Sequence, residues 1–186
     1  MSRPVSIFGI AGSLRAKSYN RAALRACGEL LPEGATLDAY MLPDLPGFNE
    51  EREKEPPAEI VDMKKRIRAA DAVLFVTPEY NLSMPGVLKN AIDWASRPYG
   101  DNAWAGKPGA IMSASMGSAG GVRAQYHLRQ CFVFLDVKLV NAPEVAIPAA
   151  HKAFDADGKL VNEMSRKFIA QLLENLVAWT RKLRGD

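Results

Sequence analysis

Apolar residues follow two kinds of pattern that alternate along the chain. The first is a short, mostly β-branched or aliphatic run at residues 5–10, 36–42, 71–77, 109–113 and 137–140. Such runs, bounded by glycine, proline and polar clusters, predict strands. The run at 71–77, DAVLFVT, is apolar at nearly every position and reads as a strand buried on both faces. The second kind is a stripe spaced three or four residues apart, which predicts a helix. One helix is expected from Asn20 to Leu31, stopped by Pro32 and Gly34, and a second from Ala58 to Ala70 on Ile60, Met63 and Ile67. A third opens with Pro85 as its first residue and carries Val87, Leu88, Ala91 and Ile92. A fourth follows Gly121 with Leu128, Cys131, Phe132 and Leu135, and the last carries Met164, Phe168, Leu172, Leu173, Leu176 and Val177. Residues 43–57, with four prolines and a run of charges, are expected to be a loop.

Five strands alternating with five helices predict an α/β fold: a five-stranded parallel sheet with helices on both faces, in three layers. Ligands of such folds sit beyond the carboxyl ends of the strands, where strand order reverses. Three polar or glycine-rich segments fall at those ends, at 11–20, 78–84 and 114–121. They can meet on one ligand only if the first, third and fourth strands are neighbours, which the order 2-1-3-4-5 satisfies.

The chain has 186 residues, 48% hydrophobic and 24% charged, enough to bury one core and typical of a single domain spanning 1–186. Its 24 Lys+Arg against 21 Asp+Glu give a net charge of +3, too balanced for a nucleic-acid footprint and mildly favourable to small anions. The two cysteines, Cys27 and Cys131, stand outside any CxxC or Cys/His cluster, so they read as buried free thiols and no metal site is expected. No secretory leader or apolar run of membrane-spanning length is present, which predicts a soluble, cytoplasmic protein with no membrane insertion.

The chemistry is concentrated in the three segments. The first, GSLRAKSYN at 12–20, gathers Ser13, Arg15, Ser18 and Asn20 at a strand-to-helix turn, where backbone N–H groups and the helix dipole favour a phosphate. Helix capping alone would not call for Arg15. Gly106-Lys107 is followed by Pro108, so no P-loop is present, and Gly9-x-x-Gly12 is not the dinucleotide fingerprint GxGxxG. The second segment, PEYNLSMPG at 78–86, is stiffened by a proline at each end and could offer backbone groups and the Tyr80 ring to a flat heterocycle. The third, SMGSAGG at 115–121, has glycines that let a backbone approach a ligand closely.

Together, GSLRxxSxN at 12–20, PEYN at 78–81, S-x-PG-x-LKNAIDW at 83–94 and SMG-x-x-GG at 115–121 resemble the flavodoxin-like NADPH-dependent FMN reductase family, most of all its bacterial quinone and chromate reductase branch. Gln125-Tyr126-His127-Leu128-Arg129-Gln130 also matches that branch, and Leu82 departs from it where a second aromatic is common. The resemblance implies an FMN cofactor, NADPH or NADH as donor, and quinones or other small electron acceptors, reduced in a ping-pong cycle. It also implies residue roles. Ser13, Arg15, Ser18 and Asn20 would hold the FMN phosphate, and Pro78, Glu79, Tyr80 and Asn81 would border the ring. Ser115, Met116 and Gly117 would close the other side. No catalytic side chain is implied, since the flavin carries the chemistry. His127 reads as a packing or interface residue, and Arg97 as a solvated cation at a helix end. A homodimer or tetramer is expected, from the resemblance and from Asp93, Trp94, Arg97, Arg123, Tyr126 and Arg129 on the third and fourth helices. The competing reading is an FMN electron carrier without NAD(P)H activity, which the positive charge disfavours.

Overall fold

A computed structural model describes residues 3–186. Its elements are β1 (Val5–Ala11), α1 (Tyr19–Glu29), β2 (Ala35–Met41), α2 (Ala58–Ala69), β3 (Ala72–Thr77), α3 (Gly86–Ala95), β4 (Pro108–Ala114) and α4 (Val122–Phe134). They are followed by β5 (Lys138–Leu139), β6 (Val145–Ile147), α5 (Ala150–Ala153) and α6 (Glu163–Arg184). The sheet is parallel throughout and its main path runs β2-β1-β3-β4-β5, the order expected. The strand count is a correction: the sheet has six strands, not five. β5 pairs only with Pro108 and Gly109 at the start of β4, and β6 takes over beside Met112, Ser113 and Ala114 at its end. The segment between them contains Pro143, which cannot donate to a ladder, so two short strands share the position expected of one.

Side-chain alternation along β1, β3 and β4 builds a core on each face. Ile7, Leu74, Val76, Ala110 and Met112 pack under α1 and α6, whereas Phe8, Ile10, Val73, Phe75 and Ile111 pack under α2, α3 and α4. Gly9 is required by this packing: a Cβ there would stand 2.6 Å from the side chain of Leu24 on α1. The register sets Ala11 beside Val76 and Val76 beside Met112. The segments leaving β1, β3 and β4 therefore emerge together at one edge. They are called loop 1 (12–18), loop 2 (78–85) and loop 3 (115–121). Of the two cysteines, Cys27 is buried with its thiol pushed up to about 12 by desolvation, while Cys131 is only half-buried.

Candidate functional site

Loop 1 leaves β1 with the Gly12 amide bonded to Val76 O at 2.9 Å, passing so close to α3 that a Cβ on Gly12 would meet Leu88 at 2.8 Å. It then turns through a hydrogen bond from the Ser18 amide to Arg15 O at 3.0 Å. Ser18 caps α1, its hydroxyl accepting from the Asn20 amide at 3.2 Å. The amides of Leu14, Arg15, Ala16 and Lys17 make no hydrogen bond to any described residue, and they precede the positive end of α1. Ser13 and Ser18 are each 3% exposed beside them, and the Arg15 side chain is exposed. Such a row of donors suits a phosphate.

Asn20 has a different duty from the other three. Its side-chain amide donates to Ala114 O and accepts from Ala114 N, both at 2.9 Å, lacing the first turn of α1, directly after loop 1, to the end of β4. Arg21 was not singled out by its sequence context. It holds the underside of loop 1, donating from Nε to Ser13 O at 2.8 Å and from Nη2 to Leu42 O at 3.0 Å.

Loop 2 is a tight turn fastened at both ends. Tyr80 and Ser83 exchange two backbone hydrogen bonds of 2.9 Å, which forces Asn81 (φ 50°) and Leu82 (φ 64°) into the left-handed region. Asparagine tolerates that conformation; a branched leucine there is strained. α4 secures the two flanks from consecutive turns. The Glu79 carboxylate accepts from the Arg123 amide at 3.1 Å and from its guanidinium at 2.6 and 2.8 Å, while His127 Nδ1 lies 2.8 Å from the Ser83 hydroxyl. Burial pushes the Glu79 carboxyl up, but the hydrogen bonds and charge of Arg123 outweigh it and hold the group below its ordinary range. His127 is thus an exposed partner of loop 2 rather than a packed side chain. Tyr80 and Leu82 stand out at 53% and 57% exposure.

In loop 3 the Ser115 hydroxyl accepts from the Gly117 amide at 3.2 Å, and Met116 is 64% exposed. Ser113 donates to Gly120 O at 2.7 Å and accepts from Gln125 Nε2 at 2.7 Å, which also donates to Val145 O at 3.0 Å. The glycines expected to admit a ligand partly serve this packing instead. A Cβ on Gly120 would lie 2.8 Å from the backbone of Ala146, and one on Gly121 3.0 Å from Ser113.

Ser13, Arg15, Ser18 and Asn20, Pro78, Glu79 and Tyr80, and Ser115 and Met116 line one open cleft of about 140 Å³; Asn81 and Gly117 fall outside its lining. The NADPH-dependent FMN reductase family model matches residues 5–152, which includes all three loops. The chain belongs to this family. It is 51% identical over 187 residues, the whole of both chains, to an NAD(P)H-dependent FMN reductase of Pseudomonas aeruginosa. It is 46% identical over 186 residues, again both in full, to a quinone reductase of Pseudomonas putida. Among solved structures it resembles the flavoenzyme NAD(P)H:(acceptor) oxidoreductase of Paracoccus denitrificans, with a TM-score of 0.85 and 37% identity over 96% of this chain and 98% of that one. The flavodoxin-like architecture therefore agrees with its family.

Other expectations change. Arg97 is not a free solvated cation: it pairs with Glu50 at 3.0 Å and with Glu53, and its guanidinium lies 4.0 Å from the Tyr99 ring centroid. Trp94 does not face outward. It is 2% exposed, with its indole N–H donating to Pro46 O at 2.9 Å. No helix among the described residues is long and apolar enough to cross a membrane.

Proposed function

We propose that this chain is an FMN-dependent NAD(P)H oxidoreductase whose acceptors are quinones. The observation that carries the reading is the meeting of loops 1, 2 and 3 in one cleft, with a row of unpartnered amides at 14–17 to receive a phosphate. Those amides, the Ser13 and Ser18 hydroxyls and Arg15 would hold the FMN phosphate, and Asn20 keeps that cradle in register with loop 3. Pro78, Glu79 and Tyr80 would border the ring from one side and Ser115 and Met116 from the other, with Asn81 and Gly117, outside the lining, shaping the turns that carry them. Bound FMN supplies the two-electron chemistry, taking a hydride equivalent from NAD(P)H and passing it to the acceptor. The chain's part is to seat the cofactor and leave one side open. The cleft is smaller than the ~300–1,000 Å³ of sites that engulf a ligand, which suits a group with one face left to solvent. One exposed face serves donor and acceptor in turn. It also admits chromate, azo compounds or free flavin.

The protein would work in the cytoplasm, where reduced nicotinamides are spent, as a homodimer or a pair of dimers. With Trp94 and Arg97 tied inward, support for pairing passes to Val133 and Phe134 at the end of α4, which are 84% and 83% exposed, and to Tyr99 at 79%. The test is direct. The purified protein should be yellow and oxidise NADPH when a quinone is present, with parallel initial-rate lines at several quinone concentrations. Arg15→Ala should weaken FMN binding by ~1.5–3 kcal/mol, the range for a charged hydrogen bond. A protein that gains no NAD(P)H:quinone activity when FMN is supplied would overturn the proposal.

A further inference from the structure

On the outer side of loop 1 lies a second, larger cleft of about 530 Å³, separate from the FMN cleft but sharing Arg15, Ser18 and Tyr19 with it. Its far wall is residues 151–158. That wall is tied to the site: Ala150 N donates to Ser115 O at 3.0 Å and Ala149 N to Gly117 O at 3.3 Å, so α5 hangs from loop 3. It is also held in shape by its own hydrogen bonds. Phe154 bridges to Leu160, Asp155 N donates to Lys159 O at 3.0 Å, and the Asp155 carboxylate accepts from the amides of Asp157 and Lys159 at 3.0 and 2.8 Å. The match to the family model ends at residue 152, so most of this wall lies beyond it.

The lining is cationic. Arg15, Lys17 and Arg25 face the cleft with His151, and none of the four has a carboxylate within 4 Å among the described residues, although ten other Lys and Arg residues do. Of the two carboxylates on the wall, Asp155 is engaged by backbone amides; Asp157 remains at the rim. Between the charges lies the half-buried Tyr19 ring, backed by the buried Phe154 ring, tilted 32° to it with centroids 5.5 Å apart. Unpaired cations around an aromatic floor, with a volume inside the ~300–1,000 Å³ usual for ligand sites, are the requirements for a base carrying a phosphomonoester.

We propose that this cleft binds the adenosine 2′-phosphate end of NADPH, with Lys17 and Arg25 reading the phosphate. The proposal rests on the chain's use of NAD(P)H. It makes the choice between NADPH and NADH a property of the outer side of loop 1, away from the flavin. Arg25 is exposed, lines this cleft and a neighbouring one of about 250 Å³ but not the FMN cleft, and can be removed without disturbing the core or the FMN cradle.

Steady-state kinetics with each nicotinamide test this in Arg25→Ala. The expected result is a KM for NADPH raised roughly tenfold or more, as for loss of a charged hydrogen bond. KM for NADH, kcat and FMN content should stay unchanged. As a second measurement, 2′,5′-ADP should compete with NADH in the parent protein more strongly than 5′-AMP does, and Arg25→Ala should erase the difference. Equal effects on the two nicotinamides, no effect on either, or loss of FMN would overturn the assignment. A protein with no nicotinamide oxidation at all would instead overturn the functional reading, and calorimetric binding of 2′,5′-ADP would still decide whether the cleft takes a phosphomonoester.

Discussion

Arg123→Ala removes the outer half of the contact that holds loop 2 to α4. The Glu79 side chain is 9% exposed and Arg123 51%, so the pair lies between two regimes. A surface ion pair contributes ~0–1 kcal/mol, and breaking a fully buried one costs ~3–5 kcal/mol. Glu79 would keep the 3.1 Å hydrogen bond from the residue 123 amide and the favourable end of the helix dipole. A loss of about 1–2 kcal/mol follows, or roughly 2–8 °C in Tm at ~2–4 °C per kcal/mol for a domain of this size. If FMN uses loop 2 in the conformation seen here, the cost of ordering it falls on binding, and FMN affinity drops about tenfold, the equivalent of ~1.4 kcal/mol.

The same variant has a pH signature. With Arg123 present the Glu79 carboxyl lies below its ordinary 4.5, so its stabilisation is complete above that value and is lost only as pH falls through the lower folded value. Without Arg123, burial is less opposed and the folded carboxyl rises, so Glu79 takes up its proton at a higher pH and the pH-dependent part of its stabilisation shrinks. Fluorescence titration of FMN against pH, with thermal melts in parallel, measures both effects. A variant that melts lower yet binds FMN as tightly as its parent at every pH would refute the link between loop 2 and the cofactor.

Two further outcomes are expected. Asn20→Ala should cost about 2–4 kcal/mol in denaturant unfolding, because it strands both the N–H and the C=O of Ala114 inside the protein. Replacing Val133 and Phe134 together by Glu should halve a solution mass measured by light scattering, leaving the 20.3 kDa of one chain; a parent protein already at that mass would dispose of the dimer.

The parts of this fold that a sequence announces are those where pattern and burial coincide. β1, β3 and β4 are fully or almost fully buried, and each could be located from an unbroken apolar run. β6 could not, because three residues just after Pro143 carry too little periodicity to distinguish a strand from a turn. The loops were legible as locations, since serine, arginine, proline and glycine gather there at the carboxyl ends of predicted strands. Their internal supports were not. Glu79 and Arg123 are 44 residues apart, and Asn20 and Ala114 are 94 apart. An amide on a helix gives no local sign that its partner is a strand end on another part of the chain. Trp94 shows the converse: its place among charged residues suggested an outer face, but the segment between β2 and α2 covers it, with Pro46 O accepting from the indole and Phe48 packed edge-on against the ring.

These long-range ties also explain how irregular segments can make a defined site. The α1 turn directly after loop 1 is laced to β4 by Asn20, loop 2 to α4 by Glu79 and Ser83, and loop 3 to β6 through Ser113 and Gln125. Each tie ends on an element beside the next loop, so the three cannot shift independently. That constraint is what a strained tip requires. A left-handed leucine costs roughly 1–2 kcal/mol relative to its relaxed form, and Leu82 keeps it because Tyr80 and Ser83 close the turn beneath it while α4 grips both flanks. The turn leaves Leu82 exposed at its tip beside Tyr80, which lines the cleft together with the exposed Met116 of loop 3. On the functional reading proposed above, a site held in this way would keep its cofactor cradle rigid and present adaptable apolar side chains to the acceptor, so changes at positions 80, 82 and 116 should alter acceptor preference without touching the phosphate cradle.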